Sequence, residues 1–116
     1  MIDVPLLESR LDAIVERYEP LGVKCDVYVH DDEIFVDGIK RDRSDPSSKG
    51  RGAELMRELC TVADSVDLRL ELTHMRDEPD LGPYYAQFGL TYYDVHGGNP
   101  ELVSMRRAPL TPTPGV

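Results

Sequence analysis

The sequence predicts an α/β (α+β) domain, a mixed β-sheet flanked by helices in the order α-β-β-α-β-α-β-β. Three observations carry this. Two segments repeat apolar residues at three- and four-residue steps, the period of a helix with one buried face; two others alternate apolar and polar residues, the period of a half-buried strand. The second, main helix lies between two strands, which a right-handed crossover would set parallel. The chain has 116 residues, 41% hydrophobic and 30% charged. That is enough for one core but not for two. One domain over residues 1–107 with a Pro-rich tail over 108–116 is the division expected.

Residues 5–19 carry Leu7, Leu11, Ile14, Val15 and Tyr18 on one face, with Pro5 near the start and Pro20 at the end. Both prolines suit a helix that begins and stops there. Val23, Cys25, Val27 and Val29 alternate with Lys24, Asp26, Tyr28 and His30 as a strand. Asp31 and Asp32 supply turn chemistry, and Ile34 to Arg41 is β-rich, so the two runs form an antiparallel hairpin. Gly38 interrupts the second strand, where glycine often marks a bulge or a close approach of ligand or backbone. Arg43 to Ser48 is a polar loop. Lys49-Gly50-Arg51-Gly52-Ala53 then opens a second helix, with Ala53, Met56, Leu59, Cys60, Ala63 and Val66 along its buried stripe.

Leu68, Leu70 and Leu72 alternate with Arg69, Glu71 and Thr73 as a third strand after a turn at Asp67. Asp77 to Gly82 is a loop, and Pro83 to Phe88 a short helix stopped by Gly89. Leu90 to His96 and Leu102 to Arg107 flank the turn cluster Gly97-Gly98-Asn99-Pro100 and make a last hairpin. No linker or internal repeat divides the chain.

The formal net charge is −9, which argues against nucleic acid or an anionic membrane as partner. No apolar run approaches the roughly 20 residues of a membrane span, and no basic-then-apolar leader opens the chain, so a cytoplasmic protein is expected. Cys25 and Cys60 form no CxxC pair and read as reduced, buried thiols. His30, His74 and His96 lack ligand spacing, so no metal is expected. Lys40 to Arg51 holds five basic residues against two acidic ones, so the remainder of the chain sums to −12. An isolated basic segment in an acidic protein is where an anionic ligand is drawn.

That segment sits at a strand, glycine loop and helix start. The first helical turn has unpaired N–H groups and partial positive charge, Gly50 and Gly52 let a pyrophosphate approach the backbone, and Lys49 and Arg51 add countercharge. No Gly-Lys-Ser/Thr closes a Walker loop, and the third glycine of a dinucleotide fingerprint is absent.

Between Glu33 and Arg107 the chain resembles the GNAT superfamily of acetyl-CoA-dependent N-acetyltransferases. The family's Q/R-x-x-G-x-G/A signature corresponds to Ser47-Ser48-Lys49-Gly50-Arg51-Gly52 followed by Ala53, with Ser47 in the first position. The later tyrosine four residues before Gly-Phe corresponds to Tyr85-Ala86-Gln87-Phe88-Gly89-Leu90, with Leu90 for the phenylalanine, and Glu78 stands near the usual asparagine. The N-terminal part is short, similar to phage-carried members, and lacks the usual first strand and one early helix.

The resemblance implies acetyl transfer from acetyl-CoA, as co-substrate, to a primary amine by direct attack in a ternary complex. It implies that the main chain from Gly38 through Ile39, Lys40 and Arg41 holds the pantetheine arm and polarises the thioester carbonyl. Ser47, Ser48, Lys49, Gly50, Arg51, Gly52 and Ala53 form the cofactor cradle. Tyr85 protonates the departing thiolate, about 2 kcal/mol uphill in water from the ordinary pKa values, less in a dry cleft. Asp37 lies near the family's glutamate and is the candidate base, with Glu71 and His74 as alternatives. The acidic remainder would attract a cationic amine, either a protein or a small molecule. The rival reading is a non-catalytic GNAT-like module that binds or inhibits a protein. Val23 to His30 is available as an edge strand for a homodimer.

Overall fold

A computed structural model of the chain describes residues 3–75, 81–95 and 102–109. Helix α1 runs Val4–Tyr18. It starts one residue before Pro5 because Asp3 caps it, accepting from the Leu6 N–H at 3.1 Å. A one-turn 3₁₀ helix, Glu19–Leu21, leads to β1, Val23–His30, and β2, Glu33–Arg41. Asp31 and Asp32 join these two strands with φ of 49° and 59°, the left-handed pair that a two-residue hairpin turn needs.

The polar loop contains a one-turn 3₁₀ helix, Pro46–Ser48, before α2, Arg51–Ser65. Strand β3 is Arg69–Met75, preceded by Asp67 at φ 59°, a conformation that Asp tolerates. Helix α3 spans Leu81–Ala86, β4 Thr91–Val95 and β5 Leu102–Arg107. Pro83 therefore lies in the first turn of α3, where its missing N–H costs nothing, rather than at its first residue. The turn expected at Gly97 to Pro100, Glu78, the His96 end of the fourth strand and the tail from Leu110 onward lie outside the described residues.

The sheet order is β1-β2-β3-β5-β4, with β2 and β3 parallel and the other neighbours antiparallel. The parallel pair flanks α2, as the crossover argument requires. Val23, Cys25, Val27, Ile34, Val36, Leu70 and Leu72 turn to one face of the sheet and pack with Leu7, Leu11, Leu55, Met56 and Leu59 of α1 and α2. Lys24, Asp26 and Tyr28 turn to the other. Cys25 and Cys60 are free thiols, both buried. The two long helices are joined by Glu58 of α2, which accepts from the Tyr18 hydroxyl and the Arg17 guanidinium. Burial, the Glu58 hydrogen bond and its charge push the Tyr18 hydroxyl up to about 12.

Candidate functional site

The site begins with a fault in β2. Lys24 pairs with Lys40 and Asp26 with Asp37. Cys25 therefore faces two residues, Gly38 and Ile39, and β2 carries a bulge. Gly38 has φ +64° and nothing within 4 Å of where a Cβ would stand, so the glycine serves backbone rotation and not crowding.

Next to the bulge the sheet opens. Strand β2 pairs with β3 from Glu33–Arg69 to Val36–Leu72 and no further. Beyond Leu72, β3 continues alongside β5 to Met75–Leu102, while β2 continues alongside β1 to Arg41–Val23. Residues 37–41 thus have no strand partner on the β3 side among the described residues. Backbone groups that a sheet would normally consume are turned toward the gap.

The start of α2 faces the same gap. A Cβ on Gly52 would lie 3.4 Å from the Tyr84 hydroxyl of α3 and 3.9 Å from Cγ2 of Ile39. Gly50 is the N-cap, at φ +76°, and no side chain among the described residues caps the helix. Ser48 is buried; its hydroxyl lies 2.7 Å from the Asp42 carbonyl and 2.8 Å from the Asp45 carbonyl, within donating distance of both. The Ser47 hydroxyl donates to the Asp45 carboxylate at 2.7 Å. Both serine hydroxyls are thus used to fold the loop. Arg51 donates to Glu54 at 2.8 Å and to the Ser47 carbonyl at 3.3 Å, while Lys49 is exposed.

The other expected residues fall on either side of the gap. Ile39 is half-buried and Lys40 and Arg41 are exposed on β2; Ala53 is half-buried in the first turn of α2. Asp37 is exposed and lies opposite Asp26. Lys24, Lys40 and Arg41 share a cleft of about 400 Å³ with Glu19, Asp42 and Asp45, so cations and carboxylates alternate there.

Tyr85 is buried, its ring centroid 6.3 Å from that of His74 and 5.2 Å from that of Tyr84. His74 in turn has Nε2 at 3.0 Å from the Tyr92 hydroxyl. The hydroxyl over Gly52 is that of the neighbouring Tyr84 and not that of Tyr85. Burial pushes that hydroxyl up, against the pull of Arg57 and Arg41. The signal was present at four-residue spacing: Tyr84 and Phe88 meet edge to face at 5.6 Å, and Phe88 lies under Arg57 of α2. Arg107 was also missed. It is buried, donates twice to the Asp64 carboxylate at 2.8 and 2.9 Å and once to the Phe88 carbonyl at 2.8 Å. No cluster of three His, Cys, Asp or Glu residues among the described residues could hold a metal ion. No helix among them is long and apolar enough to cross a membrane.

No family profile and no curated protein matches the sequence. Solved structures do. Ard1 from Thermoplasma volcanium superposes with TM-score 0.64 at 14% identity, over 78% of this chain and 64% of that one. The PaiA N-acetyltransferase from Thermoplasma acidophilum, in complex with coenzyme A, gives 0.61 at 12% identity, over 75% and 53%. The anti-CRISPR protein AcrVA5 gives 0.58 at 22% identity, over 75% of this chain and 90% of that one. The chain thus spans less than two thirds of the Ard1 and PaiA chains and nine tenths of AcrVA5. Its fold is that of the GNAT acetyltransferases.

Proposed function

We propose that the chain is an acyl-CoA N-acyltransferase that moves the acetyl group of acetyl-CoA onto a primary amine. The observation that carries this reading is the parting of β2 from β3 after Val36 and Leu72, with the glycine-started end of α2 beside it. The free main-chain edge of Gly38, Ile39, Lys40 and Arg41 suits a pantetheine arm. The amides of Lys49 to Ala53 suit a pyrophosphate, with Lys49 as the exposed countercharge. Ser47 and Ser48 take part through their main chain, since their hydroxyls are engaged within the loop.

In the reaction the amine nitrogen attacks the thioester carbonyl carbon, the carbon–sulfur bond breaks, and the thiolate leaves as CoA. Tyr85 gives its proton to that thiolate and Asp37 accepts the proton from the attacking amine. A lysine amine is neutral in roughly one molecule in 2500 at pH 7, which is why a base or water chain is required. The two buried free thiols fit a reducing compartment, the cytoplasm. Edge strand β1 supports a homodimer.

Calorimetric titration with acetyl-CoA, CoA and ATP tests the reading. We expect saturable micromolar binding of acetyl-CoA and CoA and none of ATP. Absence of binding at millimolar acetyl-CoA, in folded protein, sinks it. One observation favours the rival, a non-catalytic module that binds or inhibits a protein: Tyr85 is 8% exposed and packed among rings, as an anchor would be. The variant Tyr85→Phe separates the two. As general acid its loss lowers kcat by about 100-fold at unchanged cofactor affinity; a non-catalytic module shows no turnover in parent or variant and keeps its effect on its partner.

A further inference from the structure

The loop proposed to hold the cofactor has few side chains to spare. Ser47 and Ser48 use their hydroxyls to fold the loop, and Arg51 is held by Glu54 and the Ser47 carbonyl. From Ser47 to Ala53 that leaves Lys49, which is exposed. A second wall faces this loop from α3. The Tyr84 hydroxyl stands 3.4 Å from the position of a Cβ on Gly52, and Cγ2 of Ile39 is 3.9 Å from the same position. The hydroxyl therefore sits where the first turn of α2 meets the unpaired edge of β2. Its ring is held from two sides, edge to face with Tyr85 at 5.2 Å and with Phe88 at 5.6 Å. Tyr84 is half-buried, yet its hydroxyl makes no hydrogen bond with any described residue. A fixed donor with no protein partner is available to a ligand.

Charge selects the kind of group it serves. Burial pushes the Tyr84 hydroxyl up, and the charges that act against this are the guanidiniums of Arg57 and Arg41. Arg57 lies over the Phe88 ring, 5.9 Å from its centroid. The carboxylates nearest to it along α2 are taken: Glu54 by Arg51, Glu58 by Arg17 and Tyr18, Asp64 by Arg107. Beside Arg41, Asp42 accepts from Ser44 and Asp45 from Ser47. Arg57 has no ion pair among the described residues. A hydroxyl donor in the field of unpaired cations suits an anion better than a neutral group.

Resting on the acyl-CoA reading above, we propose that Tyr84 is a cofactor-binding residue whose hydroxyl donates to the pyrophosphate from the α3 side, with Arg57 adding countercharge. Calorimetric titration of the full chain at about 0.1 M salt tests this with CoA and with dephospho-CoA, which keeps the pyrophosphate and lacks the ribose phosphate. Tyr84→Phe keeps the ring and its edge contacts. It is expected to bind both ligands about fivefold more weakly, the worth of one hydrogen bond. Arg57→Gln is expected to lose about threefold with both. Arg10→Gln makes the same charge change on the exposed face of α1 and is expected to stay within about twofold of the parent. Melting followed by circular dichroism establishes that each variant is folded. A parent that binds neither ligand sinks the acyl-CoA reading and this assignment with it. A parent that binds while Tyr84→Phe binds equally well overturns the role of Tyr84 alone. A loss in Tyr84→Phe without one in Arg57→Gln puts the hydroxyl on the neutral arm, and a loss in Arg57→Gln confined to CoA puts that cation on the ribose phosphate; either overturns the assignment to the pyrophosphate. Equal losses in Arg57→Gln and Arg10→Gln reduce the effect of Arg57 to net charge and overturn its part.

Discussion

Arg107 is a single residue at the end of β5 that holds three elements at once. Its guanidinium bridges the Asp64 carboxylate of α2 and the Phe88 carbonyl after α3, and the residue is 6% exposed. Gly89 beside it is required by its φ of +92°, which other residues seldom adopt, while a Cβ there would make only an ordinary contact with Arg107, 3.4 Å from Nε. Removing the cation takes its donors from a partly exposed carboxylate and a carbonyl. Arg107→Ala is expected to cost about 3 kcal/mol, read as a lower urea midpoint at unchanged slope. A loss below about 1 kcal/mol, the worth of an exposed pair, would mean that solvent replaces the bridge. Arg51 makes the contrast: its pair with Glu54 is exposed on both sides, and Arg51→Ala should leave the midpoint nearly unmoved.

At the scale of elements, the pair to which we assign the cofactor is β2 and α2, and they meet at Gly52. A Cβ there would just touch the Tyr84 hydroxyl and Ile39, so a larger side chain must displace them. Gly52→Val adds a branched side chain where 3.4 Å is available. We expect acetyl-CoA affinity to fall at least tenfold, about 1.4 kcal/mol, with the melting temperature nearly unchanged because this turn is outside the main core. Unchanged affinity in calorimetry would remove the α2 start from the cofactor site. Much of this geometry was legible beforehand. Gly38 within a β-rich run announced the bulge, Asp31-Asp32 the hairpin turn, and the stripe from Ala53 to Val66 the crossover helix. Local chemistry decides such features. What was not legible depends on distant partners: Ser48 reads as a loop hydroxyl until the carbonyls of Asp42 and Asp45 bury it, and the choice between Tyr84 and Tyr85 follows from how α3 is rotated against α2. Two adjacent tyrosines cannot declare that rotation. The Asp3 cap was readable in principle, since an aspartate stands just before the first apolar-periodic residues.

For the whole molecule, stability should carry a pH signature from a group that spans three strands. Glu71 of β3 is buried opposite Phe35 of β2 and Arg106 of β5. Burial pushes its carboxyl up to about 7, helped by a hydrogen bond with Glu33 and the charge of that residue, against the pull of Arg106 and Arg69. In the unfolded chain the same carboxyl titrates near 4.5. Between those values the folded state binds more protons than the unfolded state, so this group's contribution to stability is full below the lower value and is lost as pH rises toward the upper one. Glu71→Gln is neutral throughout and should abolish that loss. Relative to the parent, the variant is expected to melt at a higher temperature at about pH 8 than the comparison at about pH 4.5 would give. The surface variant Asp12→Asn makes the same change in net charge without touching Glu33 or the arginines, so it separates this effect from relief of the overall charge of −9. If Asp12→Asn shifts the pH profile as much as Glu71→Gln, the signature belongs to the net charge; if only Glu71→Gln does, the buried carboxyl between β2, β3 and β5 sets it.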